Sequence, residues 1–375
     1  MVTIKKIEPK RSELKKFVKF QIDLYKGNEY YVPPLIMDDL DTLDPNKNPA
    51  FEFCEAQSFM AYRDNKPVGR VTAIINRNAN KKFNEKSVRF EFIDFIDDAE
   101  VVDALIAAVE EWGRERGMNR IVGPLGFSDM DPEGMLIFGF EEMGTMATIY
   151  NYPYYQKHME RLGFEKETDY VEYRIKVPSS IPEKYKRVAD IVQRRLNLNV
   201  VKLKSRKELK EKYGKAIFDL IKEAYASLYG FCSITPKQVD HYIGIYLGIL
   251  RLDNVCLITD ADDKLISVGI SMPSMSQALR RSGGKLFPFG WWYILQGLNG
   301  KTNVVDLLLV AVKPEYQNKG VNALLFSTMI PSFIANGYEF AETNVELEDN
   351  ESVQKQWEMF ERRLHRRRRV WTKEF

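Results

Sequence analysis

The sequence predicts an α+β (α/β) fold of two tandem, similar domains, each with a mixed, twisted sheet flanked by helices. Three patterns support this prediction: a hairpin, a strand–helix–strand segment, and an asparagine followed by an amphipathic helix. Each pattern occurs once in each half of the chain, in the same order. A chain of 375 residues with 45% hydrophobic and 29% charged residues is also long enough to form two globular domains.

The first pattern is a pair of alternating apolar runs joined by a turn rich in Asp and Asn. It occurs in "FMAYRDNKPVGRVTAIIN" (59–76) and in "VCLITDADDKLISVGISM" (255–272). Alternation with a period of two indicates strands, and a short Asp/Asn turn between them is typical of a hairpin. We therefore predict one hairpin in each half.

The second pattern is a strand, a helix, a turn containing Gly, and another strand. In the first half it runs from "VRFEFIDFIDD" (88–98) through a helix to "GMNRIVGPLGF" (117–127). In the second half "VVDLLLVAV" (304–312) is followed by a helix over 322–335 and by "NGYEFAETNV" (336–345).

The third pattern is an amphipathic helix after an asparagine, predicted from Asn151 and again from Asn350. In the second copy Val353, Trp357, Phe360 and Leu364 fall on one helical face. Between the halves, the Pro- and Ser-rich "KVPSSIPEKY" (176–185) indicates a boundary. We therefore predict domains at 1–178 and 179–375.

Helices are also predicted near 12–25, 184–196 and 206–228. Two long connections, 31–51 and 123–155, are expected to be functional, because compact domains seldom keep long loops without a role. The aromatic-rich segments 229–246 and 287–297 are expected to pack in the core, with an aromatic-lined ligand pocket as the alternative.

Composition excludes several classes of function. The net charge of +2 gives no global reason for binding nucleic acid, and no apolar run is long enough to span a membrane, so a cytoplasmic protein is expected. The basic run at the C-terminus, Arg366 to Arg369, is expected to act locally, in ion pairs or a phosphate contact. Three dispersed cysteines and three dispersed histidines argue against a zinc site or a disulfide framework.

The loop "KPEYQNKGVNALL" (313–325) follows the apolar strand and starts a helix at once. The first amides of a helix have no partner within the helix and lie at the positive end of its dipole. A Gly at the same point lets the backbone approach a ligand closely. This combination predicts a phosphate site at the start of the helix.

The same loop resembles the acyl-CoA loop of the GNAT superfamily of N-acyltransferases, whose usual pattern is Q/R-x-x-G-x-G/A. Gln317 and Gly320 fill the first two places, and Asn322 replaces the last. The resemblance implies acetyl-CoA or another acyl-CoA as co-substrate and implies no metal. The residues it assigns to cofactor binding are Val310, Val312, Gln317, Asn318, Lys319, Gly320, Val321, Asn322, Ala323, Asn350 and Trp357.

Two further features bear on the resemblance. Asn350, Val353 and Trp357 occupy the spacing of the family's N-x-x-A-x-x-x-Y motif, although Trp357 cannot donate a usable proton. In the first copy, the corresponding loop carries Asp97 and Asp98 and no Gly, which would repel a phosphate. The first copy is therefore interpreted as a degenerate GNAT domain.

The resemblance implies an acyl-CoA-dependent N-acyltransferase acting on a small-molecule or peptide amine. Asp306 is the first candidate for the general base because the family's base commonly comes from this strand, and Glu342 is the second. The alternatives are a non-catalytic ligand-binding protein and a Fem-like aminoacyl transferase, for which tRNA would be the nucleic acid partner. The sequence does not define the acceptor, the acyl length or the oligomeric state.

Overall fold

A computed structural model describes residues 1–375 and divides them into two compact units. Unit 1 consists of Met1–Val171, Ser276–Ile294 and His365–Phe375, and unit 2 of Glu172–Met275 and Leu295–Leu364. The sequence placed the boundary at 178–179. The structure differs because two segments of the second half belong to unit 1, and one of them, the end of the chain, forms a strand there.

The elements alternate between strands and helices along most of the chain. The strands are β1 (Thr3–Ile7), β2 (Cys54–Arg63), β3 (Lys66–Asn76), β4 (Ser87–Phe95), β5 (Arg120–Gly123), β6 (Met135–Phe138), β7 (Glu165–Lys176), β8 (Asn199–Val200), β9 (Val255–Thr259), β10 (Leu265–Pro273), β11 (Val304–Val312), β12 (Phe340–Thr343), β13 (Glu346–Leu347) and β14 (Arg362–Glu374). The helices are α1 (Arg11–Leu24), α2 (Ile36–Thr42), α3 (Arg77–Phe83), α4 (Ala99–Arg114), α5 (Tyr154–Arg161), α6 (Glu183–Arg195), α7 (Arg206–Glu208), α8 (Gly214–Ala224), α9 (Pro236–Ile245), α10 (Ser276–Ser282), α11 (Gly290–Leu298), α12 (Val321–Ala335) and α13 (Glu351–Gln354). None of the helices combines the length and the apolar composition needed to cross a bilayer.

The sheet of unit 1 has the strand order β1-β2-β3-β4-β5-β14-β7. Strands β4 and β5 are parallel over Ser87–Arg89 and Arg120–Val122, and the other pairs described are antiparallel. Strand β14 lies beside β5 because Trp371 to Glu374 pair with Gly123 to Arg120. Helix α4 packs on β3 and buries Val101, Leu105 and Val109 in the core of the unit.

The sheet of unit 2 has the order β7-β12-β11-β10-β9-β8, with β13 beside β7. Strands β11 and β12 are parallel, and their neighbours are antiparallel to them. Helices α6 and α12 cover one face with apolar side chains, including Val192, Leu325 and Phe333.

The main repeated patterns are confirmed. Strands β2 and β3 form the first predicted hairpin, and β9 and β10 form the second. Asp64 and Asn65 at the first turn have φ of 50° and 60°, a conformation that Asn and Asp tolerate better than most residues. The strand predicted at 304–312 and the helix predicted at 322–335 appear as β11 and α12.

Two predictions are wrong in part. The amphipathic helix expected from Asn350 to Leu364 is only a short turn of α-helix followed by a 3-10 helix, Lys355–Met359. Leu364 lies instead in β14, because pairing with other strands outweighs helical periodicity there. The segment 287–297 is not packed in the core: Phe287 is 76% exposed and Phe289 is 70% exposed.

The basic run at the C-terminus acts locally, as the sequence predicted. Arg367 and Arg369 form ion pairs with Asp169, whose side chain is only 1% exposed. Arg366 and Arg368 are buried and donate hydrogen bonds to the backbone carbonyls of Met143 and Ile149. These interactions fasten β14 to unit 1.

We expect Asp169→Asn to lower the free energy of unfolding by about 3 kcal/mol, because it leaves buried or half-buried arginines without their countercharge. The arginines hold the pKa of Asp169 below its ordinary value despite the desolvation that raises it. The stabilisation is therefore complete above pH 4 and lost as the pH falls through the lowered pKa. Urea unfolding at pH 7 and pH 3 measures both effects. An equal loss of stability at the two pH values would contradict the prediction.

Candidate functional site

Strands β11 and β12 are paired only over a short stretch and then separate. Val304 to Leu307 pair with Phe340 to Thr343. The last backbone link is the Asn344 N–H, which donates to the Leu307 carbonyl at 3.1 Å, and the Asn344 side-chain amide donates to the Leu308 carbonyl at 3.4 Å. On the other side of β11, the register with β10 shifts at Ile270/Ser271, so that Leu308 is the extra residue of a bulge. The second half of β11 therefore has an edge that no strand covers.

Two carbonyl groups on this edge accept hydrogen bonds from side chains. The Val310 carbonyl accepts from the Tyr225 hydroxyl at 2.8 Å, and the Val312 carbonyl accepts from Gln317 Nε2 at 3.0 Å. Residues two apart in a strand direct their carbonyls to the same side. The backbone carbonyls of the open edge thus already accept hydrogen bonds from polar groups that do not belong to a strand.

The loop after β11 brings the start of α12 close to this edge. A short 3-10 helix, Pro314–Tyr316, turns the chain, and Asn318 and Gly320 then adopt left-handed backbone with φ of 58° and 84°. The first amide of α12 that has a backbone acceptor is that of Ala323, which donates to the Gly320 carbonyl. The amides of Val321 and Asn322 precede it and have no intrahelical acceptor.

Gly320 is required here by space as well as by conformation. A Cβ atom at this position would lie 3.0 Å from Cγ2 of Val192 and 3.2 Å from Cγ1 of Val188, both on α6. Its positive φ would in addition strain most other residues. Helix α6 therefore supports the loop that ends at the start of α12.

The predicted bases, Asp306 and Glu342, lie side by side where the strands are still paired. Asp306 is the register partner of Glu342, and Glu342 is the register partner of Arg174 on β7. Both carboxyl groups are buried, at 3% and 7% exposure, and Arg174 approaches Glu342 within 3.2 Å. Register partners share a face of the sheet, so the three side chains form a row.

A third carboxyl group, Glu346, lies at the end of the separated strands. Its Oε1 accepts a hydrogen bond from Trp357 Nε1 at 2.8 Å. Desolvation by burial raises the pKa of Glu346 to about 7, although the hydrogen bond from Trp357 opposes this shift. Burial raises the pKa of Tyr225, the partner of the Val310 carbonyl, and electrostatic repulsion by Glu346 raises it further.

The structure brings most of the predicted residues together, with two in unexpected roles. Val310, Val312 and Gln317 lie on the open edge, and residues 318–323 form the loop and helix start. Trp357 is buried against Phe326 and holds Glu346, while Asn350 begins α13 and accepts from the Ser352 hydroxyl.

Sequence analysis missed Tyr225 and Glu346. Tyr225 follows α8, 85 residues before the carbonyl that it contacts, and nothing in its local sequence distinguishes it from a core aromatic residue. Glu346 is one of three acidic residues in "ELEDN", and its hydrogen bond from Trp357 distinguishes it from the others. The acidity of the surrounding segment was the only available signal.

The corresponding helix start in unit 1 is closed by carboxylates. Asp98 accepts from the Val101 amide and forms ion pairs with Arg63, and Glu100 accepts from the Val2 amide. The positive end of α4 is therefore neutralised by the protein's own side chains.

Comparisons with known proteins agree with this architecture. No protein-family model matches the chain. YghO of Escherichia coli is 25% identical over 370 residues, covering 97% of this chain and 93% of YghO. A bacterial ceramide synthase of Caulobacter vibrioides is 26% identical over 348 residues, covering 91% of this chain and 90% of that protein.

Solved structures give a more specific picture of the fold. A tandem GNAT protein from the clavulanic acid biosynthesis pathway superimposes with a TM-score of 0.56 at 11% identity, over 100% of this chain and 98% of its own. A GCN5-related N-acetyltransferase from Sphaerobacter thermophilus gives a TM-score of 0.54 at 9% identity, over 100% and 95% of the two chains. With its two α+β units and the separated parallel strands of each, this chain has the tandem GNAT fold.

Proposed function

We propose that the chain is an acyl-CoA-dependent N-acyltransferase and that unit 2 holds the acyl donor. The observation that carries this proposal is the open edge of β11, continued by a Gly-containing loop at the start of the 15-residue helix α12. An acyl-CoA offers the two features that this arrangement suits: an arm of amide groups for a strand edge, and a pyrophosphate for unpaired helix amides.

The residues present fit such a donor. Residues 317 to 323 contain no carboxylate, Lys319 adds a positive charge, and Gly320 leaves the helix amides uncovered by side chains. The carbonyls of Val310 and Val312 would accept hydrogen bonds from the amides of the arm. Tyr225 and Gln317, which now donate to these carbonyls, would release or share them. The bound thioester would supply the acyl group. In unit 1, Asp98 and Glu100 occupy the equivalent position, which argues for one donor site in each chain.

Acyl transfer to an amine also needs a group that removes the ammonium proton. A base works best when its pKa is near the working pH, and Glu346 has a pKa of about 7 beside the open edge. Asp306, the choice from sequence, lies on the same strand as the edge but within its paired half. We propose Glu346 as the base and keep Asp306 as the competing assignment.

The first test places a charge at the proposed phosphate site without straining the backbone. Asn322→Asp adds a carboxylate in the first turn of α12, where it favours the helix dipole but repels a phosphate. We expect CoA affinity to fall by roughly tenfold or more while the melting temperature is unchanged or higher. Calorimetric titration with CoA and thermal unfolding measure the two effects.

Asn299→Asp is the matched control, because it makes the same charge change at an exposed position outside the site. It should leave CoA affinity unchanged. Equal CoA binding by wild type and Asn322→Asp would remove the start of α12 from the donor site, and two CoA sites per chain would refute the assignment to unit 2 alone.

The second test compares the two candidate bases. Glu346→Gln keeps an acceptor for Trp357 but cannot take a proton, so we expect kcat to fall by about a hundredfold. The wild-type rate should rise with pH through about 7, as Glu346 ionises, and this rise should be absent from the variant. The Gln variant should remain folded at pH 8, since it removes the cost of ionising a buried carboxyl group.

Asp306→Asn is the matched comparison, because it also exchanges a buried carboxyl for an amide. If Glu346 is the base, Asp306→Asn retains the rise in rate near pH 7. If Asp306→Asn alone abolishes that rise, the assignment from sequence is correct and Glu346 is not the base.

The acceptor that we propose is a long-chain lipid amine. One similar protein is a bacterial ceramide synthase, and ceramides are amides of long-chain amino alcohols. The segment around α11 supports a lipid acceptor independently. Phe287, Phe289, Trp291 and Trp292 are 44% to 76% exposed, and Arg281 and Lys285 beside them are also exposed.

Segments that dock on anionic bilayers typically combine exposed aromatic side chains with basic ones. Trp and Phe settle at the boundary between headgroups and acyl chains, and Lys and Arg are attracted by the lipid charge. We propose that 281–292 docks on a bilayer surface from which the acceptor is taken.

The third test measures binding to vesicles of phosphatidylcholine with phosphatidylglycerol. Replacing Phe287 and Phe289 by Ser should weaken vesicle binding roughly tenfold or more. The variant lacks two aromatic rings that would otherwise move from water into the bilayer. The matched control replaces Phe83 and Phe138, which are exposed elsewhere on unit 1. Unchanged vesicle binding in the first variant would refute the docking surface, and so would a change in oligomeric state alone, which would indicate a protein interface.

A further inference from the structure

Unit 1 contains a cavity at the place where its own parallel strands separate. Strands β4 and β5 are paired only as far as Arg89 and Val122, and the cavity lies beyond that point. Its lining includes the later residues of β4, the segment after β5, and residues of the connection 31–51. Its volume is about 110 Å³.

Carboxyl groups dominate the charged lining of this cavity. The charged residues that line it are Asp39, Arg70, Glu91, Asp94 and Asp131. Arg70 is committed to Asp94, with Nε 2.7 Å from Oδ2, and donates a further bond to the Phe17 carbonyl. Asp131 accepts from the Ser128 amide at 2.9 Å. The single cation is therefore already neutralised, and negative charge is in excess.

Three polar atoms in the lining have no hydrogen-bond partner although their side chains are more than nine-tenths buried. They are Gln21 Oε1, the Tyr31 hydroxyl and Glu91 Oε2, on residues with 7%, 5% and 4% exposure. Tyr31 belongs to the lining of the cavity, together with Asp39, Arg70 and Asp94. A buried polar group without a partner is costly and indicates an absent ligand or solvent molecule.

The unsatisfied atoms define the chemistry of that ligand. Gln21 Oε1 and the ionised form of Glu91 accept hydrogen bonds only, and the Tyr31 hydroxyl can donate or accept, so a ligand that binds the carboxylate form of Glu91 must carry several donors. The excess of carboxyl groups favours a cation. An organic ammonium combines a positive charge with several N–H donors, so it matches both features.

The size of the cavity limits the ligand to a small group. An apolar cavity of roughly 150 Å³ can hold a benzene molecule, so a somewhat smaller one accommodates about four or five heavy atoms. A primary ammonium and a neighbouring hydroxyl on a two-carbon unit have that size and supply enough donors.

We propose that the cavity of unit 1 binds the ammonium and hydroxyl of a vicinal amino alcohol, with Glu91 facing the ammonium and Tyr31 and Gln21 facing its donors. The proposal does not depend on CoA binding or acyl transfer in unit 2. It assigns a ligand site to the unit whose helix start cannot hold a phosphate.

The pKa of Glu91 provides a second way to detect binding at this site. Desolvation first, and then Asp131, Asp94 and Glu133, raise the pKa of Glu91 well above its ordinary value, although a backbone hydrogen bond from Phe92 opposes the shift. A bound ammonium beside Glu91 favours the carboxylate and lowers that pKa. Binding of an amino alcohol at neutral pH should therefore release a proton from the protein to the buffer.

The experiment is a calorimetric titration of the whole chain with ethanolamine, in two buffers of different ionisation enthalpy at pH 7. We expect saturable binding whose observed heat differs between the buffers, because a proton is released. Ethanediol has the same number of heavy atoms and no charge, and it should bind at least tenfold more weakly, since an ammonium beside a carboxylate contributes a charge-assisted bond.

Two variants locate the site. Glu91→Gln should weaken ethanolamine binding at least tenfold and abolish the proton release. Tyr31→Phe removes a hydroxyl that has no partner in the protein, so it should leave the fold as stable or more stable while still weakening the binding. Tyr338→Phe is the matched control, because it removes the hydroxyl of a buried tyrosine that lies in unit 2. This variant should bind ethanolamine as wild type does.

Several results would refute the proposal: no saturable binding, equal affinity for ethanediol, or unchanged binding by Glu91→Gln. The donor-site variant Asn322→Asp separates this proposal from the proposed function. Ethanolamine binding in that variant should equal wild type even where CoA binding is lost, and a loss of both would show that ethanolamine binds in unit 2.

Discussion

The early separation of β11 from β12 is the constraint on which the proposed site of unit 2 depends. A buried backbone carbonyl needs a hydrogen-bond partner, and a missing strand removes a whole row of partners at once. In this protein, side chains replace the strand: the Tyr225 hydroxyl and the Gln317 amide satisfy the Val310 and Val312 carbonyls. These bonds make the edge stable without closing it, because a side chain can rotate away and a paired strand cannot.

The two units use the same separation of parallel strands for different purposes. In unit 2 residues 317 to 323 contain no carboxylate, and the helix start remains open for an anion. In unit 1 Asp98 covers the equivalent helix start, and the space between the strands is an acidic cavity. The helix start of unit 2 is therefore open to an anion, whereas unit 1 combines a neutralised helix start with a cavity lined by carboxyl groups. Degeneration describes the loss of the phosphate site, but it does not describe the cavity.

Local sequence patterns predicted the local structure well. The hairpins, β11 and α12 follow from apolar periodicity and turn residues, because their main determinants lie within a dozen positions. The pairing of the C-terminal strand with β5 was not predicted, since β5 lies about 250 residues earlier in the chain. The exposure of Phe287 and Phe289 was also missed: composition cannot distinguish an aromatic segment in a core from one on a surface.

The candidate site was predictable to the same extent. The loop from Gln317 to Ala323 is contiguous, so a motif could identify it, whereas Tyr225 and Glu346 reach the open edge only through the tertiary fold.

Glu346 also illustrates why such residues matter. Raising its pKa from the ordinary 4.5 to about 7 corresponds to about 3 kcal/mol against the ionised, folded state. The folded state therefore loses stability as the pH rises through 7, and Gln could accept the bond from Trp357 without that cost. Burial of Glu91 and the unpartnered Tyr31 hydroxyl also act against the stability of unit 1. A fold alone gains nothing from these groups. Their presence where each pair of parallel strands separates is the physical argument for the proposal that both units bind ligands at these points.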